Sequence, residues 1–159
     1  MTLSRRLIVL CLTSFSVASI LGAWAFQYIG GLAPCAMCYW QRWPHWAAIG
    51  LGTLALVLGN KLWYYLAALA TLTTSLIGFY HSGVERKWWP GPSSCTGEGL
   101  SSDSRSLLSM DGPALAMCDE IPWQMLGVTM ANLNAIGSLV IAALWIWAAT
   151  LPKEGRSFF

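Results

Sequence analysis

A chain of 159 residues with 56% hydrophobic and only 10% charged side chains is too apolar for a soluble domain, where about a quarter of residues are charged. Its formal net charge of +2 is spread over the flanks of apolar runs, so there is no basic footprint for nucleic acid. The expected surroundings are membrane lipid.

Apolar runs of about 20 residues can cross roughly 30 Å of hydrocarbon. They predict four spanning helices, Leu7 to Ile29, Trp43 to Gly59, Leu62 to Tyr80 and Leu126 to Leu151. With no water to satisfy backbone groups the runs must be helical, and none alternates as a barrel strand would. The predicted fold class is therefore all-α: an integral membrane four-helix bundle, residues 1–159 forming one membrane domain, with a long, mostly irregular outer loop between helices three and four.

The first run begins after Arg5-Arg6 and reaches Ala23-Trp24-Ala25, which imitates the three regions of a signal peptide. Tryptophan is awkward in a small-residue cleavage box, and removal would leave three helices, so the run is read as a span. Cys11, in mid-span, is expected to be a small buried hydrophobe.

The outer connection 30–42 holds Pro34-Cys35-Ala36-Met37-Cys38-Tyr39-Trp40-Gln41-Arg42. A C-x-x-C pair can close a small disulfide ring, and one of its thiols often has a lowered pKa. Arg42 and the positive end of a second helix expected near Trp43 would both favour a Cys38 thiolate. The blander readings are a stapling disulfide or half of a zinc site. Zinc would want a second close pair, whereas Cys95 and Cys118 are 23 residues apart, so no metal site is expected. The histidine that haem attachment needs after the second cysteine is also missing.

Pro44 is placed in the first turn of the second helix, where its missing N–H costs nothing, and His45 is read as a packing or interfacial residue. Trp40, Trp43, Trp46, Trp63, Trp145 and Trp147 fall near span ends, at headgroup depth. A very short inner turn around Asn60-Lys61 leads to the third run.

The outer connection 81–124 contains eight serines, five glycines and four prolines in 44 residues, a composition that favours turns and coil. Trp88-Trp89 and Ala114-Leu115-Ala116-Met117 are apolar patches that can rest on a membrane surface. Glu85-Arg86-Lys87 is read as a solvated cluster. Cys95 lies among small residues that a partner thiolate could reach, and Cys118 precedes Asp119-Glu120, which would disfavour its own thiolate. The four outer thiols allow three pairings. In the fourth run Asn132 and Asn134 are expected to make interhelical hydrogen bonds.

Arg5, Arg6, Lys61, Lys153 and Arg156 lie at one face, and Arg42, Arg86, Lys87 and Arg105 at the other. This five-to-four excess makes the first face cytoplasmic, with both termini inside. Six of the seven acids and four of the five cysteines fall on the opposite face, where an oxidising compartment lets disulfides persist.

With its P-C-x-x-C-x-x-Q-R motif at 34–42, four spans in order and a cysteine pair between spans three and four, the whole chain resembles the bacterial disulfide bond formation protein B (DsbB) family. The resemblance implies an inner-membrane, multi-pass thiol oxidase that reoxidises a periplasmic DsbA-like partner and passes electrons to quinone, ubiquinone or menaquinone. It implies that Cys35 and Cys38 pass electrons to quinone, with Cys38 in contact with it and Arg42 and His81 beside it. Cys95 and Cys118 would be the loop pair, Cys95 forming the mixed disulfide. Two alternatives come from other classes: a membrane thiol-redox enzyme of the quinone-epoxide reductase type, in which the loop pair precedes the C-x-x-C pair, and a non-enzymatic anchor with structural disulfides.

Overall fold

The computed structural model describes residues 4–93, 95–96 and 116–152. Outside these lie Ser94, Gly97, Glu98, Asp103, Arg105, Asp111, Ala114, Leu115, Lys153 and Arg156, so the charge count and the second apolar patch are described only in part.

Four helices carry the structure: α1 (Arg5–Trp24), α2 (Ala36–Leu58), α3 (Lys61–Glu85) and α4 (Met130–Thr150). A π-helical turn, Ala25–Ile29, extends α1, and a two-stranded antiparallel hairpin, β1 (Gln124–Met125) with β2 (Val128–Thr129), leads into α4. The helices pack in sequence order, α1 on α2, α2 on α3 and α3 on α4, while α1 and α4 touch more sparsely. Three helical segments, Arg5–Ile29, Lys61–Glu85 and Met130–Thr150, are long and apolar enough to cross a membrane. The protein is a mostly helical membrane protein. At 23 residues α2 has a similar length, but Gln41, Arg42 and His45 make its first half more polar.

Three of the four helix boundaries on the cysteine side depart from the positions expected of apolar runs alone, while the first helical segment ends at Ile29. The second helix starts at Ala36 rather than Trp43, because the Cys35 sulfur caps it by accepting the Cys38 N–H at 3.2 Å. Pro44 consequently lies well inside α2, where its ring removes the helical hydrogen bond to the Trp40 carbonyl. The third helix runs on to Glu85, so His81 is helical and buried rather than part of a loop. The fourth begins at Met130, because Leu126 and Gly127 take positive φ of 51° and 78°, the backbone of a tight hairpin turn. Thr129 then caps α4 reciprocally with Asn132.

The short turn around Asn60-Lys61 is explained by its caps. Gly59 closes α2 in the left-handed region at φ 61°, and the Asn60 side chain accepts the Leu62 N–H at 3.0 Å to open α3. At this end Val9, Leu12, Ala55, Tyr64, Ala67, Trp145 and Ala148 form an apolar core. Tyr64 and Trp145 meet edge to face at 5.9 Å, and the Arg5 guanidinium lies 4.5 Å over the Tyr64 ring. Small residues let the helices approach: a Cβ on Gly78 would sit 3.1 Å from Ala135. Cys11 is exposed on the outer face of α1, which corrects the expectation of burial; its helical phase points it away from the other helices.

Candidate active site

Cys35 and Cys38 stand at the amino end of α2 with their sulfurs 2.8 Å apart and unbonded to each other. Both precede the apolar run of that helix. The Cys38 thiol is held below its ordinary range, chiefly by the hydrogen bond from Cys35 and further by the Arg42 charge, against the opposing effect of burial. Cys35 is pushed up by the same shared proton and by its own burial. These opposite directions make Cys38, rather than Cys35, the sulfur on which a thiolate is favoured.

His81 reaches this pair from α3, its Nε2 lying 3.5 Å from the Cys35 sulfur and 3.9 Å from a Glu85 carboxylate oxygen. Glu85 is buried and accepts the Thr129 hydroxyl at 2.6 Å. This corrects the expectation of a solvated Glu85-Arg86-Lys87 cluster: Glu85 lies one helical turn beyond His81, on the same buried face, while Arg86 turns outward. Arg86 donates to the Gly127 carbonyl and to Asn132 Oδ1 at 2.9 and 2.8 Å. Asn132 bonds Ser82, so it does link α4 to α3 as expected.

Cys95 and Cys118 form a disulfide. It packs with Cys35, Met37 and Val84 in one buried cluster that Cys38 also borders, and the Cys118 backbone interacts with the His81 ring. All four outer cysteines are thus brought to one place. Trp89 holds the start of this connection back on α3, stacking on Tyr80 and donating to its carbonyl at 2.9 Å. Gly83 gives the Trp89 ring room to lie there.

A cavity of about 310 Å³ opens beside Cys38, in the wedge where α1 and α4 part. Its polar lining includes Cys38, Gln41, Arg42, His45, His81, Glu85 and Asn134, and Phe15, Ile20, Phe26 and Leu133 supply apolar walls. Arg42 is aimed by Gln27 of the π-helical turn, which accepts from it at 2.8 Å, and by the Tyr39 ring, 4.9 Å away. Such a π turn commonly marks a functional position. Apolar walls with a few convergent polar groups suit a flat, weakly polar ring carrying hydrogen-bond acceptors.

Cys35, Cys38 and His81 also place three potential metal ligand atoms within 4.8 Å of one another. Gln41 opposes that use. Its amide nitrogen donates to the Met37 carbonyl at 3.2 Å and faces His81 Nδ1 at 2.9 Å. The neutral ring then keeps its proton on Nε2, where a metal would require a lone pair.

The model of the family described as "Disulfide bond formation protein DsbB" matches residues 5–148. The chain belongs to the DsbB family. It is also similar to "Uncharacterized protein RP370" of Rickettsia prowazekii (strain Madrid E), 25% identical over 154 residues that cover 92% of this chain and 89% of the relative. No solved structure matches it.

Among the predicted site residues, Cys38, Arg42 and His81 line the cavity, Cys35 lies against Cys38 and His81 behind it, and Cys95 and Cys118 back the first pair. Gln27, Gln41 and Glu85 were not singled out from sequence. Glu85 had a signal, the helical i, i+4 spacing from His81. Gln41 stood inside the quoted motif without a stated role, and Gln27 lies 15 residues from the arginine it orients, with no local pattern to join them.

Proposed function

We propose that this DsbB-family protein is a quinone-dependent disulfide oxidoreductase of the bacterial inner membrane that reoxidises a periplasmic DsbA-like partner. The observation that carries the proposal is the burial of both cysteine pairs in one cluster, with Cys38 alone of the four opening into an apolar cavity. We place the cysteine end of the helices in the periplasm, α2 as the fourth span, and both termini in the cytoplasm.

In this mechanism a thiolate of the reduced partner attacks the Cys95 sulfur and Cys118 departs as a thiolate; a second partner thiol then releases the oxidised partner. Cys118, already packed against Cys35, attacks that sulfur and Cys38 leaves; Cys95 then attacks Cys118, restoring the loop disulfide and releasing Cys35 as a thiolate. The departing Cys38 thiolate is the better leaving group because Arg42 and the helix amino end stabilise its charge. Arg42 would hold quinone beside Cys38, with the His81 ring forming part of the wall there. Quinone bound there supplies a two-electron, two-proton acceptor. The apolar walls exclude water from the exchange and offer a path from the lipid.

Purified protein in native-type lipid, given a reduced DsbA-like dithiol, should oxidise it only when quinone is added. Ubiquinone and menaquinone tested side by side identify the physiological acceptor class. Cys35→Ser and Cys38→Ser should each abolish turnover; normal turnover by both would reduce the disulfides to structural staples.

A further inference from the structure

A chain of hydrogen bonds crosses from α1 to the His81 ring, and as far as that ring each donor in it has one assignment. Thr74 gives its hydroxyl proton to the Gln41 backbone carbonyl at 2.9 Å, so its oxygen can only accept from Asn134 Nδ2, 3.0 Å away. Asn134 Oδ1 must then accept from His45 Nε2 at 2.9 Å and from Ser138 at 3.0 Å. His45 Nδ1 is left to accept from Ser16, 3.3 Å away on α1. Asn134 Nδ2 also donates to Gln41 Oε1 at 2.7 Å. The other end of that amide is held by the Met37 carbonyl, which can only accept. His81 Nδ1 therefore receives a proton donor, and the ring's own proton sits on Nε2, which faces the Cys35 sulfur at 3.5 Å, a Glu85 carboxylate oxygen at 3.9 Å and the Cys118 backbone.

We propose that Gln41 and Asn134 are positioning residues that lock His81 in its Nε2–H tautomer, so that His81 donates to the sulfur of Cys35 and stabilises it as a thiolate. The proposal rests on the oxidase reading above and names what prepares Cys35 for its part in it. Closing the Cys35–Cys38 disulfide removes both thiol protons and two electrons; the electrons pass to quinone, which takes up two protons to become the quinol. Cys35 must give up its proton inside an apolar cluster, where burial opposes charge. A hydrogen-bond donor fixed on that sulfur offsets the opposition. The other tautomer would aim a nitrogen lone pair at the sulfur lone pairs and repel the charge.

The test uses the full-length protein with 15N-labelled histidine, reduced and in lipid, followed by steady-state kinetics. Wild-type His81 should show the Nε2–H pattern alone. Gln41→Met keeps the volume and removes the donor, so it should give a mixture of tautomers. Its kcat should fall about ten- to hundredfold, the worth of one hydrogen bond to a charged group, with both KM values within twofold. Asn134→Leu should shift both readouts the same way but less, since Met37 still orients Gln41, and it serves where Gln41→Met fails to fold. Wild-type His81 protonated on Nδ1, an unchanged tautomer in both variants, or a shifted tautomer with kcat within twofold would each overturn the proposal. A wild-type protein indifferent to quinone would instead overturn the oxidase reading and leave the tautomer result standing.

Discussion

The two ends of the same four helices are packed from different materials. Around Trp145 the contacts are rings, aliphatic side chains and alanines, among them Val9, Leu12, Ala55 and Ala148. Around Cys35 the helices bury Gln41, His81, Ser82, Glu85 and Thr129 beside Met37 and Val84. A buried polar group costs stability unless it is hydrogen-bonded, and a network is worth its cost only when nearly every member is satisfied. The Trp145 end holds the helices together, whereas the cysteine end presents polar groups in fixed orientations to two sulfurs and a cavity.

Cys38→Ser tests the separation most severely. Turnover should fall by about 10³-fold or more, as for loss of a nucleophile, with the thermal unfolding midpoint nearly unmoved. A large shift in that midpoint would mean that the cysteine end also carries stability. The converse is Trp145→Ala, which should cost about 3–5 kcal/mol through the cavity it leaves. Turnover per folded molecule should stay at the wild-type level; a matching loss of specific activity would show the two ends to be coupled.

Arg42→Ala should raise the KM for quinone about tenfold, the order of one charge-assisted hydrogen bond, and leave the KM for the soluble dithiol within twofold. The opposite pattern would move Arg42 out of the cavity's function. The smallest effect concerns pH. Because Cys38 is held below the ordinary thiol range, its alkylation rate should rise with pH and level off below about 8.5, where a free thiol is half ionised. Cys35→Ala removes the largest stabilising contact and should move that midpoint up the most. Arg42→Ala should move it up less. A Cys38 midpoint at or above that of a free thiol would dissolve the thiolate assignment.

Much of this was legible in the residues themselves. Membrane embedding follows from runs such as Leu7 to Ile29, which no soluble fold could bury, and the sharp turn at Asn60 follows from a Gly59 stop and an asparagine cap. The cysteine end was harder to read because apolar length is a poor guide where polar residues are bonded inside the protein. The apolar runs begin only after Arg42 and stop before His81, so they place the start of the second helix too late and the end of the third too early. Glu85 seemed solvated beside Arg86 and Lys87 for the same reason, although helical spacing turns it inward.

Local chemistry carried in the chain was enough to single out the Cys35–Cys38 pair as the candidate dithiol, since a C-x-x-C pair with an arginine one helical turn on creates its own field over a few ångströms. The convergence of Cys95–Cys118 on that pair, the aim of Gln27 on Arg42, and the ordered donors from Asn134 through Gln41 to His81 were decided by tertiary structure alone. They join residues between 15 and 93 positions apart. Only the packing of separate helices brings such groups within hydrogen-bonding distance, and periodicity along one segment holds no information about its neighbour's rotation.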